Sequence, residues 1–133
     1  MAEYNKTEYV DYAEDVIKQL KNNAVPDRRT GEKKIEVTTS QIRNILSMVS
    51  AIYDDTSLVI GERIDEDMQA RIMYLKMRIA YEAGRTDAVK KFVEKAGLLK
   101  FIDKIGSSKE QLILYCHYVE ALVAYHKYYG GRD

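Results

Sequence analysis

The chain has 133 residues, with 21 Lys plus Arg against 21 Asp plus Glu, so its formal net charge at pH 7 is zero. That length predicts one domain with room for a real core, and the charge balance argues against a strong free-standing nucleic-acid binder while still allowing one basic face. The lone cysteine, Cys116, excludes an internal disulfide framework, and the opening MAEYNKTEYVDYAED lacks a basic and apolar signal pattern, so a cytoplasmic protein is expected.

The first amphipathic segment runs from Glu8 to Lys21, with Tyr9, Ala13, Val16, Ile17 and Leu20 on one face. Residues 22–36 then lose periodicity and hold the only proline, Pro26, followed by Asp27, Arg28, Arg29, Thr30 and Gly31. This reads as a charged, mobile connector. Thr38 and Gln41 have capping-box spacing at the start of a second helix, whose inner face is Ile42, Ile45, Leu46, Val49 and Ile52. Leu58, Val59 and Ile60 read as a last turn or as a buried loop. A third helix is predicted from about Glu62 to Ala83, packed through Ile64, Met68, Ile72, Leu75 and Ile79 and capped by Gly84. Two shorter helices follow, one starting near Thr86 and one covering Leu98 to Ile105, with Gly97 between them.

The last helix is the longest strongly apolar stretch. Leu112, Tyr115, Cys116, Val119, Leu122, Val123, His126 and Tyr129 recur at spacings of three and four. Ser107 and Glu110 fit a capping box, and Gly130–Gly131 marks the stop. Lys109, Glu110, His117, Glu120, His126 and Lys127 interrupt it, so it is not a membrane span. No strand has comparable support. The prediction is an all-α fold: a compact bundle of five or six helices, one domain over residues 1–133, organised on a long C-terminal helix.

Catalytic patterns are sparse. Asp54, Asp55, Glu62, Asp65, Glu66 and Asp67 lie close together in sequence, and carboxylates can hold magnesium. Those near a helix start are equally explained by the helix dipole. His117 and His126 are nine positions apart, about 180° round one helix, and cannot share a metal. No histidine is placed by sequence to activate Cys116. No cofactor and no metal are expected.

The stronger polar pattern lies on the third helix. Arg71, Tyr74, Arg78, Tyr81 and Arg85 form one line offset from the inner face. Guanidinium forks suit phosphates, and phenol rings pack on sugars or bases. The same line also reads as an edge that supports neighbouring protein surfaces. Eleven tyrosines against two phenylalanines fit either contact.

At these residues the sequence resembles the small helical subunit of the type III-A CRISPR effector, the Csm complex. The matching segments are TTSQIRNILSMVSAIYDD at 38–55, YLKMRIAYEAGR at 74–85, AVKKFVEKA at 88–96 and YVEALVAYHKYYGGRD at 118–133. The resemblance implies an all-helical, non-catalytic protein that stacks in several copies along the inner filament of a ribonucleoprotein. Its implied partners are the other Csm subunits, further copies of itself, the guide RNA and the target RNA, with no membrane. RNA-facing candidates carried over by the resemblance are Arg43 of TTSQIR, Lys76 and Arg78 of YLKMR, and Arg85 of YEAGR; Arg71 joins them from the helix line. Two other readings stand beside this one: a protein-interaction module without substantial RNA contact, and a small metal-dependent nuclease built on Asp54, Asp55, Glu62 and Glu66.

Overall fold

The computed structural model describes residues 1–133 and contains six helices: α1 (Tyr9–Asn22), α2 (Thr39–Thr56), α3 (Glu66–Arg85), α4 (Asp87–Ala96), α5 (Leu98–Ile102) and α6 (Lys109–Tyr128). The only strand-like feature is an isolated antiparallel bridge between Arg63 and Ser108. The predicted all-α bundle with a long C-terminal helix is therefore the observed fold.

Side-chain caps set most of the helix starts. Thr38 Oγ1 accepts from Gln41 N at 3.1 Å and Gln41 Oε1 accepts from Thr38 N at 2.9 Å, the reciprocal box expected from sequence. The α3 start differs from expectation by four residues. Asp65 caps it by accepting from Met68 N at 2.8 Å. Residues 62–64 stay outside because Ile64 N donates to Ser107 O and Lys109 N donates to Glu62 O. The same pairing moves the α6 cap: Ser108, not Ser107, accepts from Gln111 N at 3.1 Å. Gly84 is not a cap either. The helix runs through it to Arg85 and is stopped by Thr86, whose extended backbone ends α3 while its side chain caps α4. Leu58 N donates to Asp55 O and Val59 N to Thr56 O, so a last turn follows α2, and it is not a buried loop because Leu58 and Ile60 are exposed.

Helix α6 is the centre of the bundle. It buries Leu112, Leu114, Tyr115, Cys116, Tyr118, Val119, Leu122 and His126, more of its circumference than one stripe. Helices α1 and α2 lie along it, while α3 packs mainly on α4 and α5. Each fully buried aliphatic side chain contributes about 1.5–3 kcal/mol. Two tyrosines sit in this core because their hydroxyls find carbonyls: Tyr118 Oη donates to Ala96 O at 2.6 Å and Tyr115 Oη to Leu98 O at 2.9 Å. Both acceptors lie where α4 meets α5, at the left-handed Gly97 (φ 68°). Tyr4 extends the aromatic cluster by stacking on Phe101 at 3.8 Å between ring centroids.

The connector has two different halves. Val25 to Lys34 is exposed, and Asp27 organises a turn by accepting from Arg29 N at 2.7 Å and Thr30 N at 3.1 Å. Ile35 and Val37 are buried. His126 is buried as well, and its Nε2 bonds Val37 O at 2.7 Å, so the ring packs in the core as a hydrogen-bonded group. The C-terminal tail closes over it. A side chain at Gly131 would place its Cβ 2.2 Å from His126 Nε2, so only glycine permits that approach. Arg132 O then accepts from Thr39 N at 2.8 Å, fixing the tail to the start of α2.

Candidate nucleic-acid interface on the third helix

Helix α3 shows three distinct sides. Met68, Ile72, Leu75, Ile79 and Ala83 face the core. Arg71 and Arg78 lie on the flank towards α2, with Tyr74 between them in the line. Met73, Tyr74, Met77 and Tyr81 are 55–60% exposed and, with Ala70 and Ala80, make the outer side a Met- and Tyr-rich stripe.

The candidate cations have unequal freedom. Arg71 Nη1 donates to Asp55 Oδ2 at 2.6 Å, pairing the flank of α3 with the end of α2. Arg85, exposed at the end of α3, lies 3.4 Å from Glu82 and 5.8 Å above the Tyr81 ring. Arg78 is half-buried, and no acceptor in the chain reaches its buried Nε. Lys76 is on the opposite flank, where its Nζ meets Asp103 Oδ1 at 2.6 Å. Arg43 is exposed on α2, and none of the chain's ion pairs involves it. The structure thus brings Arg71 and Arg78 together with Tyr74, leaves Arg85 at the end of the same line, and separates Lys76 from it.

Arg71 and Arg78 border an open groove of about 550 Å³ between α2 and α3. Its other lining residues are Met48, Ala51, Ile52, Ala70, Tyr74 and Leu75. Small side chains at Ala51 and Ala70 leave space that larger residues would fill. The groove and the pairing of Asp55 and Asp103 with α3 escaped sequence reading, because each depends on which elements become neighbours, whereas Glu82 stands three residues before Arg85 on the same helix. The outer stripe was readable: Ala70, Met73, Met77 and Ala80 already have helical spacing.

Two of the carboxylates considered for catalysis are occupied otherwise. Asp55 pairs with Arg71 and Asp65 caps α3. No group of three or more His, Cys, Asp or Glu side chains comes close enough to hold a metal. Burial pushes the Cys116 thiol up to about 12, away from thiolate chemistry at neutral pH. His117 lies 3.4 Å from Tyr53 Oη and stacks near Tyr9, on a different side of α6 from His126. No helix is long and apolar enough to cross a membrane.

The model of the family described as Csm2 Type III-A matches residues 3–132. The chain belongs to this family. It is 38% identical over 133 residues to the "CRISPR system Cms protein Csm2" of Streptococcus thermophilus, covering 100% of each chain. It is 35% identical over 121 residues to the protein of that name from Mycobacterium tuberculosis strain H37Rv, covering 90% of this chain and 95% of the relative. The like-named protein of Enterococcus italicus is 36% identical over 136 residues, covering 93% of this chain and 91% of the relative. The resemblance drawn from TTSQIR, YEAGR and the final helix therefore holds at the level of the family. As a member of a non-catalytic family, the chain is not an enzyme.

Proposed function

We propose that this chain is a cytoplasmic structural subunit of a type III-A CRISPR ribonucleoprotein, stacked with copies of itself in the inner filament. There it contacts the backbone of guide RNA paired to target RNA through Arg43, Arg71, Arg78 and Arg85. The observation that carries the reading is the Arg–Tyr line on the solvent-facing flank of α3, within a chain of the Csm2 family. Guanidinium groups at that spacing suit successive phosphates and fix position without reading sequence. Lys76 contributes on the other flank once phosphate displaces Asp103. A zero net charge gives a single copy few phosphate contacts, so stacked copies gain by effective concentration.

A specific observation also supports protein contact by the same helix. Exposed methionines and tyrosines that run together along one helix side are typical of docking surfaces. The two roles use different sides of α3: the arginine flank for RNA, the Met73–Met77 side for a neighbouring subunit.

The test is target binding by the assembled complex across salt. Replacing Arg43, Arg78 and Arg85 together by Ala should weaken binding for every target sequence alike. The loss should be largest at low salt, because the slope of log affinity against log salt shrinks by roughly 0.7–0.9 per lost phosphate contact. Normal assembly with unchanged affinity and slope would remove these arginines from the interface and leave the protein-contact role.

A further inference from the structure

We infer that the free chain pairs with a second copy of itself through the outer side of α3, the two helices running antiparallel about a twofold axis at the level of Leu75. This rests on the reading of the Met73–Met77 side as a protein contact and names what covers it before assembly.

The outer side carries a seam that is its own complement. Ala70, Met73, Met77, Ala80 and Gly84 recur at spacings of three and four, the pattern of a helix–helix seam, and all five are exposed. Ala70 and Ala80 each stand five residues from Leu75, and Met73 and Met77 each stand two. Reversing the helix about that level therefore sets Ala70 opposite Ala80 of the second copy and Met73 opposite its Met77. The small residues let the two helix axes approach, and four methionine side chains fill the middle. The exposed Tyr81 ring comes against Ala70 of the second copy, a large group on a small one.

Charge follows the same operation. Asp67 and Arg85 are eighteen residues apart, five full turns, so they share one flank of α3. Like flanks meet in a twofold antiparallel pair. The two residues stand eight and ten positions from Leu75, a mismatch of about 3 Å that an arginine side chain spans. Each Arg85 thus reaches Asp67 of the other copy. Asp67 is exposed and takes part in none of the chain's ion pairs, and Arg85 holds Glu82 at 3.4 Å. Glu66 lies on the seam opposite Gly84, where no side chain obstructs it. The acidic first turn of each α3 also meets the basic last turn of the other, the favourable arrangement of the helix dipoles. An unrelated apolar helix would cover the methionines, whereas the reversed α3 matches sizes and charges as well.

The seam from Ala70 to Gly84 is about 21 Å long, so the pair buries less than a standard interface and is reversible. A twofold contact closes at two copies and cannot repeat along a filament. The pair therefore holds the free chain, with Arg85 on a carboxylate, and opens when the subunit is built into the complex.

Light scattering and sedimentation of the purified chain read the pairing. The expected result is a mass that rises from one copy to two over about 1–500 µM and no further. Met77→Glu, at an exposed position, should keep the helix content and weaken pairing about tenfold or more, because it buries a carboxylate in the seam. Asp67→Arg and Arg85→Glu should each weaken it a few-fold at low salt. The two together in one chain should recover it, since both symmetry-related pairs are then reversed. A mixture of Met73→Cys and Met77→Cys chains should form disulfides faster than either chain alone, as the antiparallel register requires. A mass of one copy up to about 1 mM, an unchanged dimer in Met77→Glu, no recovery in the double variant, or faster disulfides within either single variant would each overturn the pair. Entry into the complex separates this from the reading it rests on. If wild-type chain never dimerises but Met77→Glu protein is excluded from the complex, the pair is overturned and the surface belongs to a neighbouring subunit. If Met77→Glu abolishes the dimer and still assembles normally, the pair stands and the neighbouring-subunit role falls.

Discussion

Helices α3 and α6 have the same length, 20 residues, and opposite relations to their surroundings. Along α6 the buried polar groups find partners inside the chain: Tyr115 and Tyr118 donate to carbonyls, and His126 bonds Val37 O. Along α3 one side closes the core, while the rest carries exposed Met73, Tyr74, Met77 and Tyr81 and the buried, unpaired Arg78 Nε. A fold completes its interior wherever it can, because an unpaired buried group is costly. Features left incomplete on one helix point to a surface that something else completes.

The largest test of this contrast is at the centre of α6. Leu122 is fully buried there. Leu122→Ala should cost roughly 2–5 kcal/mol in denaturant unfolding, through lost transfer energy and the cavity left behind. Met77→Ala, on the exposed side of α3, should change stability by no more than about 0.5 kcal/mol. Equal losses at the two positions would mean that α3 is not the open helix.

A smaller effect is expected from one oxygen atom. Tyr118→Phe keeps the ring in the aromatic cluster with Tyr4, Tyr12 and Phe101 but leaves Ala96 O without its donor. The expected cost is about 1–2 kcal/mol by thermal or chemical unfolding. A neutral result would show that Ala96 O is satisfied in another way. Tyr74→Phe, altering an exposed hydroxyl on α3, should leave stability unchanged.

These contrasts also mark what sequence reading could reach. The α6 face was visible because apolar spacing reports burial directly, and the Thr38–Gln41 cap because it is local. The shifted starts of α3 and α6 were not, since they depend on the long-range pairing of residues 62–64 with 107–109. Gly84 misled because a glycine near a helix end usually signals a cap, whereas here Thr86 stops one helix and starts the next. For the site, the Arg–Tyr line was readable from spacing. The partners Asp55 and Asp103, and the groove beside Arg78, required the packing of α2, α3 and α5, whereas the Glu82–Arg85 pair follows from spacing along α3 alone.

The connector should divide in the same way as the two helices. Amide exchange should be fast from Val25 to Lys34, which is exposed, and slow at Ile35 and Val37, which are buried. Proteases should nick the first part before any helix. The Asp27 turn adds a pH signature. Its carboxyl is held below the usual value by the N–H groups of Arg29 and Thr30. That contribution is present above the unfolded value of about 3.9 and is lost as pH falls through the lowered folded one. Protection of the Arg29 and Thr30 amides, relative to their intrinsic exchange, should therefore be lost only once pH falls below the ordinary carboxyl range. Uniform protection across 25–37, insensitive to acid, would show that the connector is ordered as a whole.

The smallest expected effect is at the joint between α2 and α3, and it probes function more than stability. Asp55 holds Arg71 at 2.6 Å, but both side chains are about half exposed, so the pair is screened by water. Asp55→Asn should therefore shift the unfolding free energy by about 0.5 kcal/mol or less. Its effect on RNA should be larger in kind, because a carboxylate competes with phosphate for the same guanidinium. With the carboxylate gone, Arg71 is free to neutralise a phosphate in the assembled complex. Target affinity should rise a few-fold at low salt, with a salt slope steeper by less than the roughly 0.7–0.9 of a whole added contact, because the N–H groups of Arg71 that Asp55 leaves free already serve phosphate. Arg71→Ala should do the reverse, and Asp55→Asn added to it should have little further effect, since the competing partner is already absent. If Asp55→Asn instead weakened binding, the carboxylate would be positioning Arg71 for RNA rather than competing with it. If neither variant moved affinity or slope, Arg71 would serve only to tie α2 to α3, and the RNA-facing line would shorten to Arg78 and Arg85.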